Sequence, residues 1–240
     1  MARQARFCSP GRAHLVRLHA AQGASPLAAP DQRDQFLQTM AQGLAQVSVR
    51  LYAYAVLPDS VLLLLTPQTV EDLSRFVQGL ARRSSRARQA PQAEMSSPVS
   101  REPAWARRYQ SALVQPGDWE LAAMVWIDRA ADRDGLSGTS LWPWSSRGAH
   151  VGEAQPAPVR GPALSAPEAY WNLGNTPFAR EASYRERLAH GLTAVQLGML
   201  DAALRRGLAV GAERFLRQME METGRRLQPA RRGRPRMNVA

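Results

Sequence analysis

Polar and apolar positions alternate over residues 49–56 (VRLYAYAV) and then run almost unbroken from Val61 to Leu65 before Thr66 and Pro67. With Leu57, Pro58 and Asp59 between them, the two stretches predict a pair of strands joined by a tight turn. Upstream, residues 13–19 (AHLVRLH) read as a short strand flanked by the turn residues Pro10, Gly11 and Gly23. Phe36, Met40 and Leu44 then recur at four-residue spacing beside Leu37 and Ala41, which predicts a helix from an acidic cap at Asp31 to about Val47. A second helix follows the strand pair, capped at Thr69, with acids at 71 and 72 and a stripe of Leu73, Phe76, Val77 and Leu80.

Residues 89–104 are rich in Pro, Ser and Ala and predict a mobile loop; 108–114 predict a further strand, and Asp118 can cap a helix over 119–131. The order is β-α-β-β-α-β plus a helix. That is the order of an α+β, ferredoxin-like antiparallel sheet with helices on one face, filling residues 1–150. Residues 151–168, with four prolines and two glycines, read as a linker. Residues 169–228 are helical in pattern, punctuated by Gly191, Gly207 and Gly224, and 229–240 form a basic tail.

Within this region, 208–211 could be the turn and 211–221 the recognition helix of a helix-turn-helix, with Arg214 and Arg217 on its exposed side. A helical hairpin packed on the main domain fits the same pattern equally well.

Charge adds a partner class. All 31 basic residues are arginine, against 20 acids, giving a net charge of +11. A G+C-rich genome would favour arginine over lysine everywhere, so the distribution says more than the residue type. Residues 205–240 carry ten arginines and three acids, whereas 111–204 carry seven arginines and ten acids. A focused basic excess points to a polyanion, most commonly nucleic acid. The single cysteine, Cys8, rules out an intramolecular disulfide or a cysteine-based zinc site and fits a reducing compartment. No apolar run is long enough to span a bilayer, and the expected location is the cytoplasm.

The segments LYAYAVLPDSVLLLLTP (51–67), WARRYQSALV (105–114), WPWSS (142–146), GLAVGAERFLRQME (207–220) and RRGRPR (231–236) together resemble the REP-associated tyrosine transposases. These are relatives of the insertion-sequence enzymes that cut single-stranded DNA at hairpins. The resemblance covers roughly the whole chain in consistent order. It implies a ferredoxin-like core, a C-terminal region belonging to the DNA-binding apparatus, and Mg²⁺- or Mn²⁺-dependent cleavage through a phosphotyrosine. In that family a His-hydrophobe-His pair holds the metal, residues i and i+2 of a strand facing the same side.

Those positions fall here on Ser60 and Leu62, and the position of the nucleophilic tyrosine falls on Trp126. Serine is a poor neutral ligand, leucine has no lone pair and tryptophan cannot accept a phosphoryl group. No catalytic position is intact, and no metal or other cofactor is expected. His14 and His19 face opposite sides of a strand, while His150 and His190 lie apart from them, so the four read as surface or structural histidines. Tyr109 reads as an aromatic packed on the sheet, and Asp128, Asp132 and Asp134 as a solvated face.

The expected partner is therefore DNA, single-stranded hairpin or A/T-rich, bound by a monomer or homodimer. Arg231, Arg232, Arg234 and Arg236 form an AT-hook-like core suited to a minor groove, or else a tail that touches phosphates without sequence preference. Arg82 and Arg83, with Arg107 and Arg108 across the loop, suggest a second phosphate track or a solvated helix end. Two alternatives stand beside this reading. One is an RNA-binding ferredoxin-like module, because Tyr52 and Tyr54 would share a strand face; the other is an active nuclease with relocated residues.

Overall fold

The computed structural model describes residues 7–93, 103–136, 141–153 and 161–229, with backbone alone over 87–93. The chain runs β1 (His14–His19), α1 (Pro30–Leu44), β2 (Val49–Val56), β3 (Ser60–Pro67), α2 (Val70–Ala93), β4 (Gln110–Val114) and α3 (Asp118–Asp128). Then come α4 (Ala130–Arg133), α5 (Arg147–Val151), α6 (Glu168–Trp171), α7 (Pro177–His190), α8 (Ala194–Arg206), β5 (Ala209–Val210) and α9 (Glu213–Thr223). The strands form one sheet in the order β2-β3-β1-β4-β5, antiparallel except for the β4–β5 pair. The first four strands have the ferredoxin-like order.

Several expectations need correction. The helix capped at Thr69 continues to Ala93, into the segment expected to be a loop; residues 94–102 lie outside the described residues.

Helices cover both faces of the sheet instead of one. On one side, Val16, Leu18, Leu63 and Leu65 pack with Phe36 and Met40 of α1 and Phe76 and Leu80 of α2. On the other, Leu15, Leu62, Leu64 and Val114 pack with Ala123 and Ile127 of α3, Tyr184 of α7 and Leu200 and Leu204 of α8. Because β3 is buried on both faces, its sequence is a continuous apolar run and not an alternating one. The helices after residue 169 thus share a core with the sheet.

The third correction concerns residues 208–211, read as a helix-turn-helix turn. They supply the edge strand β5: Leu208 and Val210 carbonyls accept from Leu113 and Gln115 amides, and the Ala209 amide donates to Leu227. The open edge of β4 leaves backbone groups that this short apolar piece satisfies. Helix α9 then lays Phe215, Leu216 and Met219 against Leu113, Ala209 and Leu227.

At the other edge the WPWSS segment seals β2. The Val56 amide donates to the Trp144 carbonyl at 2.8 Å, Ser146 exchanges bonds with both backbone groups of Tyr54, and Trp142 Nε1 donates to the Val56 carbonyl. Trp144 Nε1 reaches Asp34 at 2.6 Å, and the Arg33 guanidinium sits 4.0 Å from the Trp144 ring centroid while donating to the Leu27 and Ala28 carbonyls. Strand β2 itself carries a bulge at Tyr52, where the register with β3 steps from Leu51 to Ala53. The extra residue places Tyr52 and Tyr54 on opposite faces, both buried, so they form no exposed stacking pair.

A buried polar knot fastens α3 to these elements. Asp128, 2% exposed, accepts from Ser146 Oγ at 2.7 Å and from the Tyr184 hydroxyl at 2.7 Å, and its Oδ2 meets His150 Nδ1 at 2.6 Å. His150 Nε2 lies 2.9 Å from the bulge carbonyl of Tyr52, which can only accept, so Nε2 carries a hydrogen. The Tyr170 hydroxyl donates to the His150 carbonyl. Burial, followed by the neighbouring Asp128 charge, pushes the Tyr184 phenol well above its ordinary range.

Elsewhere, His14 is buried with Nδ1 donating to the Arg12 carbonyl and Nε2 accepting from the Ser9 amide, and burial pushes its pKa down to about 4.

Removing the central acceptor of this knot strands several donors. Asp128→Asn is expected to destabilise the fold by about 3–5 kcal/mol and lower Tm by roughly 10 °C, whereas Tyr184→Phe removes one bond for about 1 kcal/mol. Thermal unfolding followed by circular dichroism checks the ranking; an Asp128→Asn protein as stable as the parent would contradict it.

Candidate functional site

Ser60 and Leu62, two apart on β3, face the same side of the sheet, opposite His19 and Arg17 of β1. Helix α3 crosses that side and presents Trp126. Ser60, Leu62 and Trp126 therefore line one cleft of about 400 Å³, together with Arg17, Arg133 of α4 and Asp201 of α8. The three positions to which the resemblance assigns chemistry, separated by up to 66 residues, meet at a single place.

What they offer is not that chemistry. Ser60 is 1% exposed with a neutral hydroxyl, Leu62 has no donor atom, and Trp126 is an indole. These residues do not fit a divalent cation. Among the described residues, no group of three His, Cys, Asp or Glu side chains is placed to hold one. In the cleft, Arg133 donates to the Trp126 carbonyl and stacks 4.7 Å from the Trp126 ring centroid. Burial lowers the pKa of this guanidinium. Arg17 has its Nε buried without a partner among the described residues. Asp201 is taken by Arg205 at 2.6 Å.

The remaining candidates separate. Tyr109 is buried with its hydroxyl 3.0 Å from Ser74 Oγ, which fits an aromatic packed on the sheet. Asp132 pairs with Arg147 at 2.9 Å, but Asp128 belongs to the buried knot and is no part of a solvated face. His190 is exposed at the end of α7, its Nδ1 near the Glu186 carbonyl.

Among the arginines, Arg83 turns inward to Gln46 across the α1–α2 contact, while Arg82 and Arg107 are exposed. Arg108 lines a groove with Arg205, Arg206, Arg225 and Arg226. Arg214 and Arg217 are exposed on α9, Arg217 paired with Glu213. Arg231, Arg232, Arg234 and Arg236 lie outside the described residues.

Sequence reasoning missed the Asp128–His150–Tyr184 cluster and the gathering of Arg205, Arg206, Arg225 and Arg226. The paired arginines, one pair closing α8 and one just after α9, were the local signal for the latter.

No protein-family model matches the chain, and no curated protein matches it by sequence. Solved structures do. One, described as a REP-associated tyrosine transposase bound to a REP hairpin, aligns over 70% of this chain and 96% of its own at 13% identity, with a TM-score of 0.50. The chain has the fold of that transposase. At this identity the likeness is one of fold. A protein from Deinococcus radiodurans assigned as a transposase aligns over 48% of this chain and 87% of its own at 23% identity, but its TM-score of 0.34 is below that of a shared fold. Among the described residues, no helix is long and apolar enough to cross a membrane.

Because Ser60 and Leu62 share a face at the cleft, Ser60→His/Leu62→His should set two imidazoles side by side. Titration with Mn²⁺ followed by calorimetry is expected to show one site in the double variant and none at this cleft in the parent. A folded double variant that takes up no Mn²⁺ would mean the two side chains do not converge.

Proposed function

We propose that this protein binds DNA on a transposase scaffold whose strand-cleaving chemistry has been replaced. The observation that carries the reading is the convergence of Ser60, Leu62 and Trp126 on one cleft within a transposase fold. Leu62 and Trp126 can neither ligate a metal nor attack phosphorus, and Ser60 is a neutral hydroxyl, 1% exposed, with no histidine among the described residues lining the cleft to activate it. The architecture that would bring a strand to the cleft is kept, and the groups that would cut it are not. The solved structure of like fold is bound to a REP hairpin, which supports a hairpin-forming DNA as the ligand.

The net charge of +11 supplies the attraction. The RRGRPR segment (231–236), in which Gly233 and Pro235 stand between arginines, has a sequence suited to minor-groove or phosphate contacts. The RNA-module reading loses its main support, since Tyr52 and Tyr54 are buried on opposite faces of the sheet.

The test is equilibrium binding to a hairpin DNA with a single-stranded flank, with Mg²⁺ or Mn²⁺ present, followed by denaturing electrophoresis of the same mixture. A complex that weakens steeply with salt, with an uncut strand and no covalent adduct, is expected. A cut strand or a protein–DNA adduct would overturn the loss of chemistry. Failure to bind at low salt, or tighter binding to an RNA hairpin of the same sequence, would overturn the DNA reading.

A further inference from the structure

We propose that the DNA backbone lies in an arginine-lined groove at the C-terminal end of α8, separate from the cleavage cleft; this deepens the DNA-binding reading above and rests on it. The groove has a volume of about 470 Å³. Its arginines come from three stretches far apart in sequence: Arg108 before β4, Arg205 and Arg206 at the end of α8, and Arg225 and Arg226 after α9. Among the described residues, no acid lines it. A neighbouring hollow shares Arg225 and Arg226 and adds Arg217 and Pro229 together with two acids, Glu213 and Glu220, so the arginine-lined surface reaches Pro229, two residues before Arg231 in sequence.

Two features favour a phosphodiester chain over a small ligand. Bringing five guanidinium groups together costs folding free energy through mutual repulsion, which an anion relieves, and guanidinium forks match phosphate oxygens two at a time. The acids nearest the track are already engaged. Asp201 pairs with Arg205, Glu213 pairs with Arg217, and Glu220 accepts from the Leu227 and Gln228 amides.

Arg205 and Arg206 are exposed, while Tyr109, Ser111 and Leu208 give the groove a firm floor on the sheet. Asp201, one turn from Arg205 on the same helix, lines the cleft. A strand held in the groove therefore runs towards Trp126 along α8.

The experiment compares the intact protein with Arg206→Ala/Arg226→Ala and with Arg50→Ala/Arg187→Ala, which removes equal charge from elsewhere on the surface. Each is titrated with the hairpin DNA across a salt series. The groove variant is expected to bind about 10–100-fold more weakly at fixed low salt. Its slope of log K against log salt should be shallower by about 1.5–2, whereas the control should change binding less than ~3-fold.

Phenylglyoxal modification of the unmutated protein, read by mass spectrometry, gives an independent measurement: DNA should protect Arg206 and Arg226. If the parent binds DNA but the groove variant binds with the parental affinity and slope, or if both arginines remain fully reactive in the complex, the groove is wrong and the DNA reading survives. If the parent does not bind DNA at all, both fail.

Discussion

The Asp128 carboxylate is the constraint on which the rest of the arrangement depends. A charge 2% exposed in the interior is tolerable only when its oxygens are fully occupied, and here the occupants come from separate parts of the chain. Ser146 brings the WPWSS segment, His150 brings α5, and Tyr184 brings α7. His150 then passes the tie on to the β2 bulge at Tyr52. Satisfying one acid thus fixes where α3 crosses the sheet. Trp126, two residues earlier on that helix, is held over Ser60 and Leu62 as a consequence. The cleft thus takes its geometry from this knot.

The central strands and their helices were legible because each carries a strong pattern. The run from Val61 to Leu65 and the stripe from Leu73 to Leu80 can satisfy their burial in few ways. The edges were not. Strand β5 has two residues and no period, and it exists because β4 needs a partner and Leu227 lies on the other side. The bulge at Tyr52, whose carbonyl is bonded by a histidine 98 residues away, breaks the local alternation that placed Tyr52 and Tyr54 on one face. WPWSS could be noticed in the sequence, but its work of sealing β2 and supplying Ser146 is visible only in three dimensions.

The candidate site divides in the same way. The spacing of Ser60 and Leu62 placed them on one face, and residue chemistry made the first a poor metal ligand and the second none. That Trp126 faces the same cleft required the fold. The basic excess after residue 204 was legible as charge, but the groove it builds with Arg108 required the chain to return along β5 and Leu227. Cleft and groove lie along one helix, α8, so the proposed phosphate track is separate from the cleft that Ser60, Leu62 and Trp126 line.

The most direct measurement of this account is a gain of function. Ser60→His/Leu62→His/Trp126→Tyr restores the three groups in their places on an otherwise unchanged scaffold. Incubated with hairpin DNA and Mn²⁺, it should nick the strand and leave a covalent phosphotyrosine at position 126, detectable by mass spectrometry. A folded triple variant that binds both Mn²⁺ and the hairpin yet forms no adduct would contradict the claim that the scaffold still presents DNA to a cleavage site.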